Sequence, residues 1–167
     1  DRRYTFTTDT GDCLFGSVAL HAETILNPGY YTSMGFGVPA ALGAGLAAPD
    51  RRPIALVGDG GFQMTGVELG TLVRYGVDAI VIALNNGGYR SLEALGGGRA
   101  VWDIHPWDYV AVARALGAEG TRVRSPEEFR TALQASCDQN GVRLIEVVLA
   151  PDDISPTLRR LGKQVLE

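Results

Sequence analysis

Two short runs of apolar, β-branched residues stand out along the chain, at residues 54–57 and 79–84. Neither alternates with polar positions, so each is expected to be a strand covered on both faces. Between them Leu69, Leu72 and Val73 recur at helical spacing, and Gly76 supplies a helix stop. Strand, helix, strand predicts a right-handed crossover between parallel strands. The pattern extends in both directions. Residues 4–8 read as a first strand, Asp9-Thr10-Gly11-Asp12 as a turn with Asp12 as a helix cap, and residues 13–20 as the helix it caps. Residues 21–28 read as polar connection, 29–32 as a short extended segment and 35–48 as a helix of small residues. A helix is expected from Pro106, with Tyr109, Val112, Ala113 and Leu116 on one face and Gly117 as its stop. Residues 121–123 and 144–149 are further strands. Between them Ser125-Pro126-Glu127-Glu128 forms a capping box for a helix that buries Phe129 and Leu133. Residues 151–167 read as a linker, then a helix from Ser155-Pro156. The expected fold class is α/β: a doubly wound, mostly parallel sheet with helices on both faces.

Each of the two apolar runs ends in a polar, glycine-rich corner. The first is Gly58-Asp59-Gly60-Gly61 and the second Asn85-Asn86-Gly87-Gly88-Tyr89. Parallel strands place both corners at the carboxyl edge of the sheet, where ligands bind. Gly58, Gly60 and Gly61 let the backbone approach a ligand and offer bare amides ahead of a helix, an arrangement suited to phosphate. Asp59 and Asn86 offer hard oxygen donors. Mg²⁺ takes few protein oxygens and shares phosphate oxygens with its ligand, so the pair fits a Mg²⁺-diphosphate clamp. Glycine and aspartate turns follow strands in any doubly wound protein; the second, amide-bearing corner is what favours the clamp. Gly43-Ala44-Gly45 mimics part of a dinucleotide fingerprint, but it lies inside a predicted helix and no acidic residue closes a following strand.

Composition narrows the picture without changing it. The chain has 167 residues, 46% hydrophobic and 20% charged, which suits one domain with a real core. A net charge of −4 argues against a general role on nucleic acid or a membrane surface. Cys13 and Cys137 form no framework and are expected as reduced, buried thiols in a cytoplasmic protein. No apolar run is long enough to span a bilayer as a helix. The chain starts at Asp1, without Met, and a strand begins at once. The expectation is a single domain over residues 1–167, the C-terminal part of something longer.

Gly58-Asp59-Gly60 followed by Asn85-Asn86 resembles the signature of thiamine-diphosphate-dependent enzymes. The segment from Tyr31 through Met34, Gly35 and Gly37 to Pro39-Ala40-Ala41 resembles the one preceding that signature in the pyruvate decarboxylase and acetolactate synthase group. The start from Asp9 to Phe15 and the Gly29-Tyr30-Tyr31 segment are most similar to the phenylpyruvate/indolepyruvate decarboxylase branch. The resemblance covers nearly the whole chain and is more specific to the cofactor than to the substrate. It implies thiamine diphosphate and Mg²⁺ as cofactors. Asp59 and Asn86 would bind the metal through side chains and Gly88 through its carbonyl. Gly60 and Gly61 amides would hold the diphosphate, with Gly11, Gly58 and Tyr89 beside them. Met34, which residue type alone would assign to core filling, would wedge between the cofactor rings. Thr32 and Ser33 fall where the family's backbone holds the aminopyrimidine.

Departures matter too. In several relatives a hydroxyl residue near Asp12 touches the diphosphate; Asp12 is an acid and is read as a helix cap instead. Yeast-type pyruvate decarboxylases carry a catalytic glutamate a few residues past the second Asn, where this chain has Leu92, with Glu93 next to it. That fits the phenylpyruvate-type branch. Residues 90–100, with Gly96-Gly97-Gly98, are expected to form a flexible loop over the site. His105, beside the glycine loop, is a candidate catalytic residue by type, but with no positioned partner it reads more readily as structural or exposed. Trp102, Trp107 and Phe15 suit either pocket or core, the core being the commoner place for them.

The family's activating glutamate belongs to a separate pyrimidine-binding domain, normally of a partner chain, and no matching element is found here. The resemblance therefore implies the diphosphate-binding half of a 2-oxo acid decarboxylase, catalytically incomplete alone. Its implied partners are a 2-oxo acid, a pyrimidine-binding domain and, when full-length, further copies in a homodimer or tetramer. Other readings are an acetolactate-synthase-like carboligase, a non-catalytic cofactor-binding or assembly subunit, and a phospho-receiver-like module. The last needs an acidic pair, which Asp9 and Asp12 mimic, and a late sheet Lys; the only Lys is Lys163, in the terminal helix.

Overall fold

The computed structural model describes residues 3–96 and 102–166. Six strands form one sheet: β1 (Arg3–Thr8), β2 (Ile25–Leu26), β3 (Arg51–Gly58), β4 (Ile80–Asn85), β5 (Glu119–Val123) and β6 (Arg143–Val148). Their order is β2-β1-β3-β4-β6-β5 and every pair is parallel. The helices are α1 (Asp12–Gly16), α2 (Gly37–Ala47), α3 (Asp59–Thr65), α4 (Glu68–Arg74), α5 (Arg90–Ala94), α6 (Tyr109–Ala115), α7 (Pro126–Cys137) and α8 (Pro156–Leu166).

The continuous apolar runs are explained by two cores. On β4, Val81 and Ala83 face a core shared with Val38 and Ala41 of α2, Phe62 of α3, Leu69 and Leu72 of α4, and Tyr109 of α6; Trp107 packs against it. Ile80 and Ile82 alternate to the other face, where Ile54, Val123 and Ile145 meet Phe129, Ala132 and Leu133 of α7. A strand buried on both faces has no polar side to show. Helices cover both faces, as the doubly wound expectation requires. Close packing has its own marker: a Cβ on Gly45 of α2 would lie 2.3 Å from the Val77 side chain and 3.1 Å from that of Pro53.

Several boundaries differ from the sequence expectation, each for a local reason. The first crossover is two helices. α3 begins at Asp59 itself, and the chain breaks at Gly66, where a Cβ would lie 2.4 Å from the Phe62 ring. The segment expected to be extended at 29–32 is a 3-10 turn, Gly29–Tyr31. The Asn27 side chain accepts from Gly29 N–H at 3.0 Å and Gly29 sits at φ +51°, so an Asx turn wins over extension. Within the polar connection at 21–28 lies edge strand β2, only two residues long and too short to leave a pattern. The expected loop at 90–100 begins as helix α5; Gly97 and Gly98 lie outside the described residues. α6 starts at Tyr109 rather than Pro106, because the Asp108 carboxylate accepts from Ala111 N–H at 3.1 Å and caps it there. α2 starts at Gly37 rather than 35. Of the two thiols expected to be buried, Cys13 is buried and Cys137 only partly so.

The chain leaves β1 outward to β2 and leaves β3 inward to β4. The carboxyl ends of β1, β3 and β4 are therefore adjacent at a topological switch point, which is where such sheets open a crevice.

Candidate functional site

Asp59 joins the two glycine-rich corners. β3 ends at Gly58, paired with Leu84 of β4, so the next residue of each strand emerges side by side. The Asp59 carboxylate is almost wholly buried. Its Oδ1 accepts from Gly60 N–H at 2.7 Å; its Oδ2 accepts from Gly87 N–H at 2.7 Å and Gly88 N–H at 3.1 Å. Burial pushes its pKa above the ordinary carboxylate value, and the surrounding backbone amides offset only part of that rise.

The second corner is braced from outside. Asn85 donates its side-chain amide to Glu146 Oε1 at 2.8 Å; Glu146 Oε2 takes Arg122 Nε–H at 2.7 Å, and Arg122 reaches Asp108 at 2.9 Å. Asn86 stands free of this network: its side-chain amide has no hydrogen-bond partner among the described residues. Gly87 turns the chain at φ +78°. A Cβ on Gly88 would lie 2.4 Å from the Trp102 carbonyl. The Gly88 carbonyl accepts from Arg90 N–H at 2.9 Å. The buried Arg90 guanidinium donates to the Gly87 carbonyl at 3.2 Å and pairs with Asp103 at 2.6 Å and Glu93 at 3.2 Å. Glu93 is thus committed to Arg90, and Leu92 points to solvent.

The β1 corner completes the crevice. The buried Asp9 carboxylate accepts from Gly35 N–H at 3.0 Å and Gly37 N–H at 2.8 Å. Asp12 does not cap its own helix. It is the first residue of α1, behind Gly11, and its Oδ2 accepts from Ser155 N–H at 2.6 Å, tying this corner to the approach of α8. Its Oδ1 is buried without a partner.

These corners line an open cleft. Gly11 and Met34 line it from the β1 side. Gly58, Asp59, Gly60 and Gly61 line it from β3, and Asn86, Gly88 and Tyr89 from β4. Thr32 and Ser33 are exposed beside Met34 and form no part of the wall. His105 is exposed as well, and its carbonyl receives the Gln63 amide at 2.7 Å.

The glycines divide by purpose. A Cβ on Gly58 would meet nothing within 4 Å, so this backbone faces open cleft. At Gly60 the missing side chain makes room for the Tyr89 ring, which an added Cβ would overlap, and at Gly61 for the Asp9 carboxyl, 3.0 Å from where a Cβ would stand. The cleft wall carries Asp9, Asp12, Asp59 and Asp153 against one cation, Arg90. A bare diphosphate would meet net negative charge there, which a divalent cation bound with it would offset. The donors present fit: one carboxylate, one free side-chain amide and one backbone carbonyl are hard oxygens, too few alone, and Mg²⁺ completes its shell with phosphate and water. No cluster of three or more His, Cys, Asp or Glu suited to a metal occurs among the described residues.

Sequence reasoning missed Asp9, Glu146, Arg122 and Arg90. Glu146 had a signal: it is a lone charge inside the apolar run Leu144-Ile145-Glu146-Val147-Val148. The others had none.

A family model described as thiamine pyrophosphate enzyme, C-terminal TPP binding domain, matches residues 9–147. An indole-3-pyruvate decarboxylase of Azospirillum brasilense is 40% identical over 153 residues, 91% of this chain and 28% of that protein. An alpha-keto-acid decarboxylase of Mycolicibacterium paratuberculosis is 40% identical over 131 residues, 75% of this chain and 23% of the relative. Among solved structures, the thiamine diphosphate-dependent 4-hydroxybenzoylformate decarboxylase of Rhodococcus jostii RHA1 superposes with a TM-score of 0.81 at 30% identity, over 91% of this chain and 30% of that one. The chain spans less than a third of each of these proteins.

Proposed function

The chain belongs to the thiamine pyrophosphate enzymes, as their C-terminal TPP-binding domain, and on that premise we propose that it is the diphosphate-binding half of a 2-oxo acid decarboxylase of the phenylpyruvate or indolepyruvate type. The observation that carries this reading is the cleft itself: Asp59, Asn86 and Gly88 line one acid-walled crevice, where a cation would offset the charge that a diphosphate meets. Asp59 and Asn86 hold Mg²⁺ through side chains and Gly88 through its carbonyl. Gly60 and Gly61 face the diphosphate, and Gly58 and Gly11 let it approach. Tyr89 supports that turn by filling the space over Gly60. Met34 supports the cofactor between its rings, with Thr32 and Ser33 at the pyrimidine end.

When bound, thiamine diphosphate supplies a nucleophilic carbon for the substrate's keto group and an electron sink that lets carbon dioxide leave. The residues here bind and orient. The group that activates the pyrimidine is assigned to a separate pyrimidine-binding domain of the same or a partner chain, so this domain is inactive by itself. Its exposed apolar rim supports such a partner: Tyr30 and Tyr31 are 92% and 82% exposed, and Met64, next to Gly35, is 55% exposed. Assembly is expected as a dimer or tetramer of complete chains, in the cytoplasm; the described chain has no helix long and apolar enough to cross a membrane, and both cysteines are free thiols.

The test supplies a pyrimidine-binding domain, thiamine diphosphate and Mg²⁺ to the purified chain and assays carbon dioxide and aldehyde from indole-3-pyruvate and phenylpyruvate. Aldehyde from the mixture and none from either part alone is the expected result. Acetolactate from pyruvate in place of aldehyde would assign the domain to a carboligase.

A further inference from the structure

The turn at residues 32–35 is strained. Thr32, a β-branched residue, carries the strain at φ +49°, while Gly35 at φ +86° takes a conformation open to glycine. A β-branched residue keeps such a conformation only where its surroundings over-determine it. Asp9 does much of that work from 26 residues away. Its Oδ1 accepts from Gly35 N–H at 3.0 Å as well as from Thr10 N–H at 2.9 Å, and its Oδ2 accepts from Gly37 N–H at 2.8 Å. Asp9 is itself fixed: it is 1% exposed, and its N–H donates to the Leu56 carbonyl at 2.8 Å, extending the β1–β3 ladder. Glycines admit it on both sides. A Cβ on Gly37 would lie 3.1 Å from Asp9 N, and one on Gly61 would lie 3.0 Å from Asp9 Cγ.

We propose that Asp9 is a positioning residue for the cofactor: by accepting the Gly35 and Gly37 amides it fixes the strained turn so that Met34 is held at the cleft wall beside Asp59. The alternative is a remote cap. α2 has no side-chain cap of its own, and an anion at its N-terminus is favourable. A cap, however, needs only Gly37. The second oxygen, on Gly35, reaches across the turn itself, and Thr65 Oγ1 donates to the Gly35 carbonyl at 3.0 Å from the other side. The role of Met34 toward thiamine diphosphate rests on the function proposed above; the tether does not.

The experiment therefore has two arms. The first is amide hydrogen exchange on the unliganded chain. Gly35 and Gly37 are expected to exchange as slowly as the neighbouring β1 amides, and Asp9→Asn is expected to speed both about tenfold or more while unfolding stays cooperative. Thr7→Val is the control: Thr7 Oγ1 donates only to the Gly37 carbonyl, at 2.8 Å, so Gly35 should keep its wild-type rate. Fast exchange at Gly35 in the wild-type chain overturns the tether with no variant needed. The second arm is calorimetry with Mg²⁺-pyrophosphate and Mg²⁺-thiamine diphosphate. Asp9→Asn is expected to weaken thiamine diphosphate about tenfold and pyrophosphate less than about twofold. Equal loss of both ligands marks a general structural role and overturns the proposal, as does undiminished thiamine diphosphate binding. A wild-type chain that binds neither overturns the reading of the cleft, and the exchange data still decide what Asp9 holds.

Discussion

Asp59 accepts three backbone amides, and burial still raises its pKa above the ordinary carboxylate value of about 4. The folded state therefore binds the proton more tightly than the unfolded chain does. Stability of the unliganded protein should fall as pH rises from the ordinary carboxylate range through the raised value, and Mg²⁺ binding should strengthen over the same window. Melting temperature against pH checks the first part, and Asp59→Asn should flatten the slope. Gly60 gives a second prediction at this scale. A helical Gly→Ala change normally gains about 1 kcal/mol, but here the new methyl would lie 2.2 Å from the Tyr89 ring. Gly60→Ala should thus be destabilising by about 1–2 kcal/mol. In chemical denaturation, Gly60→Ala combined with Tyr89→Ala should cost less than the sum of the two single changes. Asp59 and Asn86 were legible in the sequence because both donors sit at the ends of apolar runs. The roles of Asp9 and Arg90 were not, and the lone charge of Glu146 in its apolar run marked the residue without naming its partner. Asp9 acts on amides 26 and 28 residues away, and Glu146 on an amide 61 residues away, so only the folded register reveals them.

At the scale of elements, long signals survived and short ones did not. The α7 cap is where Ser125-Pro126-Glu127-Glu128 placed it: Ser125 Oγ accepts from Glu128 N–H at 3.2 Å, while the Glu128 carboxylate takes the N–H of Arg124, one residue before the usual partner. Ser125→Ala should cost about 1 kcal/mol, a fall in melting temperature of about 2–4 °C for a chain of this size. Cofactor binding should not change, because α7 packs on the core away from the cleft and contributes nothing to its wall. α2 shows the opposite case. Its sequence carries no cap at the true start, because the carboxylate that takes the Gly37 N–H is Asp9, just past the end of β1. The 3-10 turn at Gly29–Tyr31 and the two-residue β2 escaped for a related reason: periodicity needs more residues than either provides.

At the scale of the whole molecule, three strand-end corners meet at one switch point and present donors, an acid-lined cleft and an apolar rim outward. The doubly wound architecture was legible because buried parallel strands and crossovers dominate the hydrophobic pattern. The strand order was not, since pairing β4 with β6 rather than β5 leaves no local trace. The central claim is that this cleft takes thiamine diphosphate only together with a cation bound at Asp59. Calorimetric titration of thiamine diphosphate into the purified chain, with and without Mg²⁺ and repeated on Asp59→Asn, tests it most directly. Binding that requires Mg²⁺ and is lost in a folded Asp59→Asn variant is the predicted result. Binding that persists without the metal, or survives the substitution undiminished, would contradict it.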